Sequence, residues 1–238
     1  MITVLVHGSW HGAWAWDQMI PLLQDRGLRP ITIDLPGPGR AEGDQDLAGH
    51  ARALTELVAG IDEDVVLWGH SYGGAVIGEA APDLPNVVGL GYLAGVMPDK
   101  GQTAMEALEA YRNADEPAPV SVDGELLRYN PSAVIADFYQ DCPPELAAAA
   151  VAKLTPEHVS SVASPATHAG WRTLPFGYVV CGLDRAMPVA MQREVAKRTE
   201  LTVELESGHS PMLSMPETLA DVMADMTRKL YENGSSAR

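Results

Sequence analysis

Hydrophobic residues fall along this chain in two alternating rhythms. Short, nearly continuous apolar runs lie at 2–6, 30–34, 64–68, 87–94, 177–181 and 201–205. Strands covered on both faces read this way, because no polar residue is needed on either side. Between these runs, apolar residues recur at helical spacing over 16–26, 47–60, 72–81, 189–198 and 218–231. The alternation predicts an α/β fold, a mostly parallel sheet of about six strands with right-handed crossover helices on its faces.

The rhythm breaks between 98 and 175. No buried strand stands out there, and prolines punctuate helical pieces at 104–112 and 145–153. A structureless loop of that length does not suit a compact domain, so the segment is expected to be a helical cap over a site. The expected division is a core of 1–97 with 176–238, and a cap insertion of 98–175. The tail, 233–238, is expected to fray.

Composition narrows the class. With 238 residues and 46% hydrophobic content, one folded domain is expected and disorder is excluded. Sixteen basic against thirty-two acidic residues give a net charge of −16, which repels nucleic-acid phosphates and anionic membrane surfaces. No nucleic acid, membrane or metal partner is expected. Cys142 and Cys181 stand far apart, outside any CxxC pair, and read as buried thiols. No basic leader precedes the first apolar run and no window approaches a membrane span, so the expectation is a soluble, cytoplasmic protein.

The chemistry gathers at run ends. Gly69-His70-Ser71-Tyr72-Gly73-Gly74 follows an apolar strand and opens a helix, the setting a GxSxG nucleophile elbow needs. Glycines at 69 and 73 let strand and helix approach, Gly74 lets the helix lie close to the sheet, and the turn aims the Ser71 hydroxyl out of the carboxyl edge. A hydroxyl attacks only when a base takes its proton. Of seven histidines, His209 is best placed, in the loop after the last strand. His70 adjoins the serine but points away, His50 fits a surface-helix pattern, and His158 and His168 fall in the insertion. His7 and His11 lack a third ligand for a metal.

Asp184, after the second-last strand, is the preferred orienting carboxylate, with Asp99 as its rival after the strand at 87–94. The order Ser71, Asp184, His209 is that of hydrolases built on such a sheet. His7-Gly8-Ser9-Trp10 ends the first strand, so the backbone N–H groups of Ser9 and Tyr72 are assigned as the oxyanion hole.

These motifs carry a resemblance. The whole chain resembles an α/β-hydrolase, and Val6-His7-Gly8-Ser9-Trp10-His11-Gly12-Ala13-Trp14-Ala15-Trp16, GHSYGG, GLDRAMP and GHSPML are similar to the plant-type methylesterase and hydroxynitrile-lyase-like branch. The resemblance implies a Ser71–His209–Asp184 triad, a cap from Pro98 onward and no cofactor. Lyases of this branch carry threonine where this chain has Gly8, and lysine where it has Ser210. A departing cyanide needs a nearby cation, so the neutral Ser210 favours an esterase.

Trp10, Met97, Met105, Tyr139, Trp171, Met187 and Met212 are the candidate substrate walls, pointing to a small hydrophobic or aromatic ester. The alternatives are lyase or other biosynthetic acid–base chemistry on the same fold, and a small-molecule receptor with incidental turnover. A homodimer is left open.

Overall fold

The six apolar runs become one sheet in a computed structural model, which describes residues 1–111 and 119–236. In chain order, β1 (Ile2–Val6), β2 (Arg29–Ile33), β3 (Val65–His70) and β4 (Val87–Leu93) precede an inserted segment. That segment holds β5 (Val120–Asp123), β6 (Leu126–Tyr129) and β7 (Glu157–His158), and β8 (Phe176–Cys181) and β9 (Leu201–Leu205) follow it. The main sheet runs β2-β1-β3-β4-β8-β9, and every adjacent pair is parallel. Predicted and observed strands agree to within two residues.

Two apolar cores explain why the strands lack polar alternation. Ile2, Val4 and Val6 of β1, with Val65 and Leu67 of β3, face one core. It is closed by α2 (Leu47–Ala59), α3 (Gly73–Ala80) and α8 (Val189–Ala196). Leu5, Val66 and Trp68 face the other, closed by α1 (Met19–Asp25), the short α9 (Pro211–Ser214) and α10 (Pro216–Ser236). A leucine or valine buried this fully contributes about 1.5–3 kcal/mol, so each strand is held from both sides. Asp46 starts α2 by accepting the Gly49 N–H at 2.7 Å.

Two expectations need correction. The tail does not fray from residue 233: α10 continues to Ser236 because Leu230, fully buried, packs it onto β4. Residues 237–238 lie outside the described residues. The insertion is not purely helical either. Besides α4 (Ala104–Glu109), α5 (Val134–Phe138), α6 (Pro144–Val151) and α7 (Val159–Ala163), it carries an antiparallel sheet ordered β5-β6-β7. Asp123 pairs with Leu126 across a two-residue turn whose first position, Gly124, has φ 63°, where glycine is unstrained. The end of the predicted 104–112 helix, Arg112, lies outside the described residues. No helix among the described residues is long and apolar enough to cross a membrane.

Candidate active site

Ser71 sits between β3 and α3 with φ 53°, a left-handed backbone that a serine adopts only under constraint. The constraint is close packing. A Cβ on Gly69 would stand 2.4 Å from the Gly73 carbonyl oxygen, and one on Gly73 would stand 2.6 Å from that of Val6. The Ser71 N–H donates to the Leu93 carbonyl at 3.0 Å, and its own carbonyl accepts from Val96 at 2.9 Å. The turn is thus fastened to the neighbouring strand end, with the serine at the helix N-terminus.

His209 lies across the sheet edge, buried, and its Nδ1–H donates to Asp184 Oδ2 at 2.8 Å. Asp184 is itself buried and not a surface partner of Arg185. Its Oδ1 accepts from the Ala186 and Met187 amides, each at 2.9 Å. Its Oδ2 also accepts from Gln192 Nε2 at 2.8 Å, while Gln192 Oε1 accepts the Cys181 N–H at 2.9 Å. Gln192, on α8, is a site residue that the sequence did not single out. Asp99 is engaged elsewhere, accepting from Arg172 Nε at 2.6 Å.

Ser9, Tyr72, Ser71 and His209 line one cavity of about 100 Å³. Among the described residues, neither the Ser9 nor the Tyr72 amide donates to another protein group. Its remaining walls are apolar, and no lysine, arginine or carboxylate lines it among the described residues. Of the predicted walls, Trp10 and Met187 line it. Met97, Tyr139, Trp171 and Met212 are buried in packing, and Met105 lies at the surface. Tyr129, Phe138, Val96, Leu108 and Val162 line the cavity without having been singled out. Most come from the insertion, which the sequence predicts to cover a site, but no local pattern says which of its residues face the cavity.

The other histidines are structural wedges. His50 is fully buried, contrary to the surface expectation, because both ring nitrogens are satisfied. Its Nε2–H donates to the Pro36 carbonyl, and its Nδ1 accepts the Tyr72 hydroxyl, each at 2.9 Å. His70 donates Nε2–H to the His209 carbonyl at 2.9 Å. His7 donates to the Gly8 carbonyl at 2.8 Å and accepts the Leu35 N–H at 3.1 Å. Burial pushes all three, and His11, below the usual imidazole range, His11 and His50 to about 4. They are therefore neutral at pH 7. His158 starts α7, accepting the Ser160 N–H at 3.2 Å, and His168 stands half-exposed beside Glu79.

One buried ion pair ties the insertion to the Ser9 turn. Arg40 Nη2 donates to both oxygens of Glu157 at 3.1 Å, and both side chains are buried. Arg40 Nη1 also donates to the His11 carbonyl at 2.8 Å, and Glu157 Oε2 accepts the Trp10 N–H at 3.3 Å. Trp10 has φ 63°, so these contacts hold a strained turn. Burial pushes the Glu157 carboxyl up, opposed by the Arg40 charge.

Comparison with known proteins extends the likeness beyond the motifs. The chain is 29% identical to norfluorocurarine synthase 2 of Strychnos sp, over 95% of each chain. It is also 29% identical to methylesterase 1 of Arabidopsis thaliana, again over 95% of each. The solved structure of a pyrethroid hydrolase from Sphingobium faniae superposes with a TM-score of 0.79 at 27% identity, covering 98% of this chain and 99% of that one. The resemblance to the plant-type methylesterase branch therefore spans nearly the whole sequence. A model of the alpha/beta hydrolase family matches residues 3–222, and on that match the chain belongs to the alpha/beta hydrolase family.

Proposed function

We propose that this protein is a serine carboxylic-ester hydrolase acting on small, uncharged, hydrophobic or aromatic esters, with residues 98–175 as its cap. One observation carries the reading: a single apolar cavity gathers Ser71, His209 bonded to Asp184, and the Ser9 and Tyr72 turns. With Nδ1–H given to Asp184, His209 Nε2 is left to take the Ser71 proton as the hydroxyl oxygen attacks the ester carbonyl. The Ser9 and Tyr72 amides stabilise the oxyanion. The tetrahedral intermediate collapses as His209 protonates the leaving alcohol, and water repeats the cycle on the acyl-enzyme.

The cavity size supports a small substrate. An enclosed apolar cavity of about 150 Å³ holds benzene, so a cavity of this size suits a group on the scale of one small ring beside Ser71. A charged group there would lose hydration with no counterion among the lining residues.

The test is turnover of neutral aryl and methyl esters with a burst, and labelling of Ser71 by a fluorophosphonate. Ser71→Ala should lose at least about 10³-fold in kcat. A folded variant that retained a tenth of wild-type turnover would overturn the mechanism.

A second reading is favoured by one observation, the likeness to a protein named a synthase. In it the same base performs biosynthetic acid–base or lyase chemistry. Cyanide release from mandelonitrile, or decarboxylation of a β-keto acid, without ester turnover would select it.

A further inference from the structure

Three consecutive residues of the insertion each reach a different loop of the proposed site. The Tyr139 hydroxyl donates to His11 Nε2 at 2.8 Å, and His11 Nδ1–H donates to the Ser9 carbonyl at 2.9 Å. Gln140 Nε2 donates to the carbonyl of Leu183, the residue before Asp184, at 2.8 Å. Asp141 Oδ2 accepts the N–H of Gly208, the residue before His209, at 2.6 Å, and the Ser214 hydroxyl at 2.9 Å.

The sheet performs only part of this task. The Ser9 turn leaves β1, whereas the Asp184 and His209 loops leave β8 and β9, and β3 and β4 stand between β1 and β8. Beyond the strand ends the Leu183 N–H donates to the Ser207 carbonyl at 2.9 Å and joins the Asp184 and His209 loops to each other, but among the described residues no backbone hydrogen bond runs from either loop to the Ser9 turn. A Cβ on Gly208 would stand 2.6 Å from both Asp141 Oδ1 and Gln140 Nε2, so a larger residue there would displace the two side chains that make these contacts. Tyr139 is fully buried, and burial raises its hydroxyl above the usual phenol range, so it remains a donor.

We propose that Tyr139, Gln140 and Asp141 form a positioning clasp that sets the Ser9, Asp184 and His209 loops at their working distances. The insertion then assembles the reacting groups as well as covering them. The catalytic part of this inference rests on the serine-hydrolase reading, but the mechanical part does not. A displacement of about 1 Å between reacting groups can cost about 100-fold in rate, so small slackening is measurable.

Asp141→Ala should lower kcat 10- to 100-fold on a neutral aryl ester while KM stays within twofold, and should slow fluorophosphonate labelling of Ser71 in proportion. Asp141→Asn keeps an oxygen for the Gly208 N–H and should return to within threefold of wild type. Tyr139→Phe removes a single hydroxyl and should lower kcat three- to tenfold, which covers the case of an Asp141→Ala variant that does not fold. Amide hydrogen exchange supplies a readout independent of activity. Asp141→Ala should accelerate exchange at residues 207–210, and Gln140→Ala at 183–185, with distant amides of β3 unchanged. Wild-type protein without ester turnover or labelling would sink the hydrolase reading while the exchange pattern still decides the clasp. Wild-type-like kcat in folded Asp141→Ala and Tyr139→Phe would overturn the clasp, as would unchanged exchange at both loops.

Discussion

Asp184 receives four hydrogen bonds on two oxygens, from two backbone amides, Gln192 and His209. That crowding fixes the plane of the carboxylate and, through it, the imidazole ring. Asp184→Asn can present an N–H to His209 Nδ1 and favour the wrong tautomer. The expected loss in kcat is about 10⁴-fold with the fold intact, the scale seen in a serine-protease triad, and steady-state kinetics beside a thermal melt checks it. The residues of the bond itself were legible in the sequence, because Ser71, Asp184 and His209 each sit in a short loop that follows an apolar run. Gln192 was not: a glutamine on an amphipathic helix has no local mark, and its partners Asp184 and Cys181 are brought to it only by folding. His50 misled for a related reason. Its polarity suggested solvent, yet the Pro36 carbonyl and the Tyr72 hydroxyl satisfy both nitrogens, and a satisfied imidazole is stable in a core.

At the scale of elements, Arg40 and Glu157 join β7 of the insertion to the loop after β2 and to the Trp10 turn. A buried pair of this kind is weak evidence for stability, since two charges leave water to form it. Removing one partner is another matter. Arg40→Met should destabilise the protein by about 3–5 kcal/mol, because Glu157 is left buried and uncompensated. Denaturant unfolding of Arg40→Met, Glu157→Met and the double variant checks this. The double variant should be markedly more stable than the sum of the single losses implies, and strictly additive losses would contradict the argument. The small sheet that houses Glu157 shows where periodicity runs out. Four-residue strands give too few positions to define a period of two, although Gly124, at the first position of the two-residue turn Gly124-Glu125, is a hairpin signal available from the sequence. The long strands of the main sheet, apolar throughout, were legible because both of their faces are covered.

The molecule as a whole holds four neutral, buried histidines, His7, His11, His50 and His70, and this sets its response to acid. In the unfolded chain each imidazole takes a proton near the ordinary value of 6.5, whereas His11 and His50 resist until about 4 when folded. Below pH 6.5 the unfolded state therefore binds more protons. Stability is complete above that pH and falls as the pH drops toward 4, by as much as about 1.4 kcal/mol per pH unit for each histidine. Glu157, pushed up by burial, acts in the opposite sense, but it is one group against four. The melting temperature should fall clearly between pH 7 and pH 5, and a constant value across that interval would refute the linkage. Chain topology has a different consequence. β4 and β8 are hydrogen-bonded parallel neighbours, so the chain leaves the sheet at the carboxyl end of β4, after Leu93, and must cross back toward the opposite edge to enter β8 at Phe176, beside Leu90. Everything between is one crossover connection between adjacent parallel strands. Any connection long enough to make that crossing joins the same two strands in the same order, so the length and internal structure of this segment can change without altering the sheet.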